Sequence, residues 1–190
     1  GLVDLLILRD ETGAYNGYSG DVSSIIAALG FIGGALAVWS TAKLLITKNK
    51  EDMHLSHLKK EGKAKYALLV AVTIGAVIGF NLLFELLGVT NKSEAYTEVA
   101  SQQYSAHFMV GILVFGFISP IAEELLFRGV IYGYLRRFMD IKLAIALSAL
   151  IFGVYHMNYV QGVYGFLIGC LMAYAYEYFG EFKMAVFVHV

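Results

Sequence analysis

The side chains of this sequence that could do chemistry are ionisable groups placed where lipid should be. Glu123, Glu124 and Arg128 fall within about one and a half helical turns of an apolar run from about Ala106 to Leu135. His156 closes a second apolar run, and His189 lies at the start of a third. An ionisable group in mid-membrane costs about 2.5–3.5 kcal/mol or more, so it normally faces a cavity or a partner. Glu124 and Arg128 are four apart, share one helical face and can pair. Glu123 points about 100° away and cannot share that pairing equally. One carboxylate is thus neutralised and its neighbour is left over. An Arg–Glu pair that merely locks two helices explains Glu124 and Arg128, but not the second adjacent acid. A shielded carboxylate without a counter-ion suits a general base near neutral pH.

The two sites of charge also lie at matching depth. Glu123 is about 20 Å along its helix from Arg136, and His156 lies about as far from Lys142. The two segments are antiparallel neighbours joined by a short connection, so Glu123 and His156 are expected to meet across their interface. His189 is only about 9 Å from Lys183 and fits less well. A lone membrane histidine is as readily a polar packing contact.

The elements that hold these groups follow from composition. The chain has 190 residues, of which 58% are hydrophobic, 14% aromatic and 15% charged. Its mean hydropathy is +0.67. Soluble domains carry about 25% charged residues, so too little polar material is present to cover a water-facing globule. The excess is clustered in long runs, which excludes soluble, fibrous and disordered classes and leaves an all-α, polytopic transmembrane bundle. Spans are expected at about Val22–Ile46, Tyr66–Val89, Ala106–Leu135, Leu143–Met157 and Gly162–Phe179, with a sixth beginning near Met184 and cut short. The chain starts at Gly1 with no leader pattern and stops inside an apolar run, so it reads as a piece of a longer protein.

Basic residues alternate between connections. Lys43, Lys48, Lys50, Lys59, Lys60, Lys63 and Lys65 flank the first, Arg136, Arg137 and Lys142 the third, and Lys183 the last. The opposite side has only Arg9 and Lys92. By the positive-inside rule, loops 47–65 and 136–142 are cytoplasmic, while 1–20 and Thr90–Ser105 face out. The net charge of −1 gives no field for nucleic acid, and the single Cys170 excludes an internal disulfide. Small residues at Ala71, Gly75 and Gly79, and at Gly165, Gly169 and Ala173, read as helix-packing faces without chemistry.

The motif-bearing stretches have a familiar form. Pro120-Ile-Ala-Glu-Glu-Leu-Leu-Phe-Arg128-Gly129 reads as EExxxR, Phe152-Gly-Val-Tyr-His156 as FxxxH, and His189 would open an HxxxN. This set resembles the CAAX protease and bacteriocin-processing (CPBP, or Abi) family of intramembrane proteases. The resemblance covers about residue 106 to the end, implying two parts: N-terminal transmembrane helices over 1–105 and a catalytic core over 106–190, truncated at its C-terminus. It implies that Glu123 activates water, that Glu124 and Arg128 support it, and that His156 assists the water or proton transfers. It also implies that His189 helps hold the oxyanion; its asparagine partner has no counterpart here.

Peptide hydrolysis needs a nucleophilic water, a base and donors aimed at the developing oxyanion, and these residue types supply all three. A recessed site also needs a cavity that admits water, which Gly153, Asn158 and Gln161 are placed to line; as helix-end and turn residues they have a simpler role. Two histidines and a carboxylate could hold zinc with one position open. Against zinc, there is no His-Glu-x-x-His and no cysteine nearby, and the resemblance implies a metal-free glutamate mechanism. No cofactor is therefore expected. His54 and His57 belong to the lysine-rich loop, and His107, Glu85 and Asn81 to the membrane interface. The expected function is endoproteolysis of a membrane-associated, prenylated or bacteriocin-like peptide, in a membrane that the short spans suggest is the bacterial plasma membrane. The alternatives are a catalytically silent scaffold or bacteriocin-immunity protein, and a proton-coupled transporter using the same acid and imidazoles. The protease reading requires Glu123→Gln and His156→Ala each to abolish cleavage.

Overall fold

The computed structural model describes residues 17–54, 62–90 and 93–190, and among these every regular element is helical. In chain order they are α1 (Gly17–His54), α2 (Lys63–Leu86), α3 (Glu94–Tyr104), α4 (Phe108–Leu135), α5 (Ile141–Tyr155), α6 (Tyr159–Phe179) and α7 (Lys183–His189). Three of them are long and apolar enough to cross a membrane: α1 over Gly20–Asp52, α2 and α4. Their best windows have mean hydropathies of 2.0, 2.4 and 1.8. Large apolar side chains such as Leu29, Leu36 and Leu86 point outward from α1 and α2, at 64%, 72% and 85% exposure. Hydrocarbon is the solvent that suits such faces.

The expected five spans and truncated sixth are met in part. α5 is apolar but only 15 residues long, about 22 Å. α6 has 21 residues, yet five tyrosines, Gln161 and Glu177 dilute its apolar character. Two connections expected as loops are helical over most of their described residues. α1 continues through Thr47-Lys-Asn-Lys-Glu-Asp to His54, and α2 begins at Lys63, so both described ends of the 47–65 connection belong to helices. The reason is that Lys48, Lys50, Glu51 and Met53 are good helix formers, and a helix need not stop where hydrocarbon does. Within Thr90–Ser105, Ser93 caps α3 by accepting the Tyr96 amide at 3.2 Å, and Glu94 supplies negative charge in the first turn. His57, Lys59, Lys60, Arg9 and Lys92 lie outside the described residues.

α4 is the most enclosed span: 44% of its window is buried, against 11% for α1 and for α2. It is not a uniform α-helix. Ile112–Ile118 and Leu125–Tyr132 are π-helical, and a short α-helical segment, Ser119–Glu124, lies between them. Pro120 has no N–H to donate, and the Ser119 amide bonds five residues back to Val114. Both glutamates therefore occupy an α-helical turn between widened ones, a placement that periodicity cannot reveal.

α5 and α6 form the closest helical pair. Asp140 caps α5 by accepting the Leu143 amide at 3.1 Å. The reversal then passes through Met157, whose φ of 59° is left-handed. Asn158 caps α6, its Oδ1 accepting the Gln161 amide at 2.9 Å. A Cβ on Gly153 would run into the Gly162 carbonyl, and one on Gly169 would lie 3.1 Å from the Ala149 Cβ. Gly153→Ala is accordingly expected to cost about 1–3 kcal/mol by overpacking, read as a lower melting temperature in detergent; an unchanged value would mean that the two backbones are not this close. The small-residue faces thus divide. Gly165 and Gly169 do admit neighbours, whereas a Cβ on Gly75 or Gly79 would meet nothing within 4 Å.

A second polar group locks the far end of α4. Arg136 Nε and Nη2 donate to the two oxygens of Glu177 at 2.6 and 2.7 Å, and the Tyr132 hydroxyl donates to the same carboxylate at 2.6 Å. These bonds bind α4 to α6 at the end nearest the Arg136–Asp140 turn.

Candidate active site

α4, α5, α6 and α7 bring one cluster together. Glu124 and Arg128 are fully buried, and Arg128 Nη1 donates to Glu124 Oε1 at 2.7 Å, as the four-residue spacing requires. Arg128 Nη2 donates to the Gly169 carbonyl on α6 at 3.0 Å. The guanidinium carbon lies 4.6 Å from the centre of the Phe152 ring on α5. Arg128 therefore joins three helices through three kinds of contact.

Glu123 takes the other direction. Its side chain is 11% exposed, and Oε1 accepts the Ser119 hydroxyl at 2.6 Å. No lysine or arginine pairs with it among the described residues. It lines a cavity of about 250 Å³ between α1 and α4, which also takes in Phe127 and Tyr155. The acid left over by the Glu124–Arg128 pair thus faces open space.

The imidazole beside both acids is His189. Nδ1 lies 2.9 Å from Glu124 Oε1 and Nε2 lies 3.8 Å from Glu123 Oε2. An ionised carboxylate only accepts, so the first contact makes Nδ1 a donor and turns Nε2 toward Glu123. The 3.8 Å separation exceeds a direct hydrogen bond but leaves both atoms within reach of a single water.

His156 is placed differently from the expectation that it meets Glu123. Its Nδ1 lies 2.9 Å from the Phe152 carbonyl, and no hydrogen bond or ion pair joins it to either glutamate. The physical reason is that α5 ends at Tyr155, so His156 sits on the C-terminal cap, where its ring folds back on its own last turn. A carbonyl only accepts, so Nδ1 carries the proton and Nε2 is the free atom. Phe152 connects the two histidines. Its ring meets His156 edge-on at 4.8 Å and His189 edge-on at 5.7 Å between centroids.

Several contributors were not singled out from the sequence. Ser119 is one, and its position four residues before Glu123 was the available signal. Phe152 as the shared platform and the Gly169 carbonyl as an acceptor require the tertiary structure. Of the weaker candidates, Asn158 and Gln161 cap α6. The His107 amide donates to Asp21 Oδ1 at 2.6 Å, tying the start of α4 to α1. Glu85 is exposed, and Asn81 bonds the Val77 carbonyl of its own helix.

A catalytic zinc takes three protein ligands, and no group of three suitable side chains occurs among the described residues.

Residues 105–190 match a family model described as Rce1-like, type II CAAX prenyl endopeptidase. No curated protein and no solved structure matches the chain. The matched segment contains Ser119, Glu123, Glu124, Arg128, Phe152, His156, Gly169 and His189, which is the whole of the cluster described above. The match spans somewhat under half of the chain and is consistent with the CAAX protease family of intramembrane proteases.

Proposed function

We propose that the chain hydrolyses a peptide bond of a membrane-associated peptide, a prenylated CAAX-type C-terminus being the preferred class, by water that Glu123 activates. The observation that carries this reading is the bracketing of His189 between two carboxylates, Nδ1 on Glu124 and Nε2 facing Glu123. Glu123 takes a proton from the water as its oxygen attacks the scissile carbonyl carbon. His189 Nε2, protonated, donates to the carbonyl oxygen as charge gathers there. The C–N bond then breaks, and the proton held by Glu123 passes to the leaving nitrogen. Glu124 and Arg128 are positioning residues that hold the His189 ring. His156, with Nε2 free one turn beyond the shared Phe152 ring, assists proton transfer on the substrate side. No metal or other cofactor enters these steps.

In this reading α5 and α6 complete the transmembrane bundle and α7 opens a further span. The ends of α1 and α4 that carry lysine and arginine face the cytoplasm.

The test is cleavage of a fluorogenic, farnesylated CAAX peptide by the chain reconstituted in lipid. Wild type is expected to cut it, a zinc chelator to leave the rate unchanged, and His189→Ala to lower kcat/KM by about 10²–10³-fold, the size of one lost oxyanion donor. Loss on chelation with recovery on adding zinc would overturn the metal-free mechanism. Movement of a solute with no peptide cut by wild type would overturn the protease reading.

A further inference from the structure

The glycines of α1 fall into an unusual relation with α4. Near its start, α1 touches the connection before α4 so closely that a Cβ on Gly20 would run into Ser105. Toward its end, α1 is again tight against α4. There a Cβ on Gly129 would lie 3.0 Å from the Ala42 Cβ, and Asn49 Nδ2 donates to the Gly133 carbonyl at 3.1 Å. Between these two closures α1 stays packed along α4, with a cavity opening beside the contact. Gly30 and Gly34 sit in that interval, and a Cβ on either would meet nothing within 4 Å. Both line the cavity of about 250 Å³ into which Glu123 and Tyr155 project.

Packing therefore does not require glycine at these two positions. Glycine inside a helix is destabilising, because it adds backbone freedom to the unfolded chain and buries nothing. What the missing side chains preserve is room next to the carboxylate. Cavities that take whole drug-sized ligands measure about 300–1,000 Å³, so this one suits a short stretch of extended chain rather than a folded segment. A peptide must also unfold locally to expose a scissile bond to Glu123, and an extended backbone with small side chains passes closest to a glycine wall.

We infer that Gly30 and Gly34 form the wall of a substrate subsite. It holds the residues next to the scissile bond in extended form and admits only small side chains on the face turned to α1. This rests on the protease reading of the same cavity. Gly33 serves as an internal control, since it is also open to substitution but does not line the cavity.

The experiment uses the reconstituted full chain in two arms. In the first, kcat/KM for the farnesylated CAAX peptide is measured for Gly34→Leu, Gly30→Leu and Gly33→Leu. Gly34→Leu and Gly30→Leu are expected to lose at least tenfold with melting temperatures no lower than wild type, and Gly33→Leu is expected to match wild type. In the second arm Cys170, the single cysteine of the chain, is replaced by alanine. Gly34→Cys and Leu36→Cys are then treated with a charged methanethiosulfonate reagent. Cys at 34 is expected to react and to be protected by the peptide in a Glu123→Gln background, whereas Cys at 36, on the lipid-facing side, is expected not to react. Unchanged kcat/KM in Gly34→Leu and Gly30→Leu, with no peptide protection at 34, would overturn the inference while leaving proteolysis intact. Protection at 34 with no hydrolysis by wild type would keep the subsite and overturn the reaction.

Discussion

Glu123→Gln is expected to lower peptide cleavage by about 10²–10⁴-fold, the range a positioned general base contributes. The fold should survive this change. Glutamine keeps the shape of glutamate and retains a carbonyl oxygen to accept the Ser119 hydroxyl now bonded at 2.6 Å. Glu123 has no lysine or arginine partner among the described residues, so the substitution strands no cation. The loss should therefore appear in kcat with little change in KM, because the interaction removed belongs to the transition state. Equal cleavage by Glu123→Gln and wild type, measured at matched amounts of folded protein, would remove the base from the mechanism.

Arg128→Ala is expected to have the largest effect on stability. The side chain is fully buried, donates to Glu124 and to the Gly169 carbonyl, and lies over the Phe152 ring. Removing it leaves the Glu124 carboxylate buried with only His189 as a partner, together with a cavity at the junction of α4, α5 and α6. Breaking one side of a buried pair costs about 3–5 kcal/mol, a large share of the stability of a domain this size. The expected readout is loss of the monodisperse folded species in detergent. Arg128→Lys should recover only part of it, since an ammonium cannot supply the forked contacts to Glu124 and Gly169. A variant with alanine at 128 that melts with wild type would show that the pair is not the internal lock described here.

Much of this arrangement was legible from residue types and spacing. The Glu124–Arg128 pair follows from a four-residue interval, and the isolation of Glu123 follows from the angle between adjacent side chains. Membrane helices follow from clustered apolar residues, although their ends do not. α1 runs past its apolar stretch into lysine-rich sequence, and α3 stands where a polar connection was expected. A hydropathy pattern marks where hydrocarbon lies, whereas a helix ends where its caps are. The pairing of Glu123 with an imidazole was also legible, but the imidazole was not. Equal path lengths from the basic turn favoured His156. The π-helical turns of α4 and the early end of α5 break that equality, and His156 turns back onto the Phe152 carbonyl. By path length alone His189 lies too shallow, yet α7 enters the bundle against the glutamate-bearing turn and delivers its ring between the two acids. Depth along a helix is a one-dimensional quantity, and the tilt and packing of short helices are not.

Glu123 and His189 are proposed to serve one step, the attack of water activated by Glu123 on a carbonyl whose oxygen His189 holds. A double-mutant cycle on kcat/KM for Glu123→Gln, His189→Ala and the pair measures this most directly, since residues that serve one step lose far less together than the product of their separate losses. The expected result is a double variant within a few-fold of the weaker single variant. A double variant whose loss equals the product of the two would contradict the shared step and separate the two residues into independent roles.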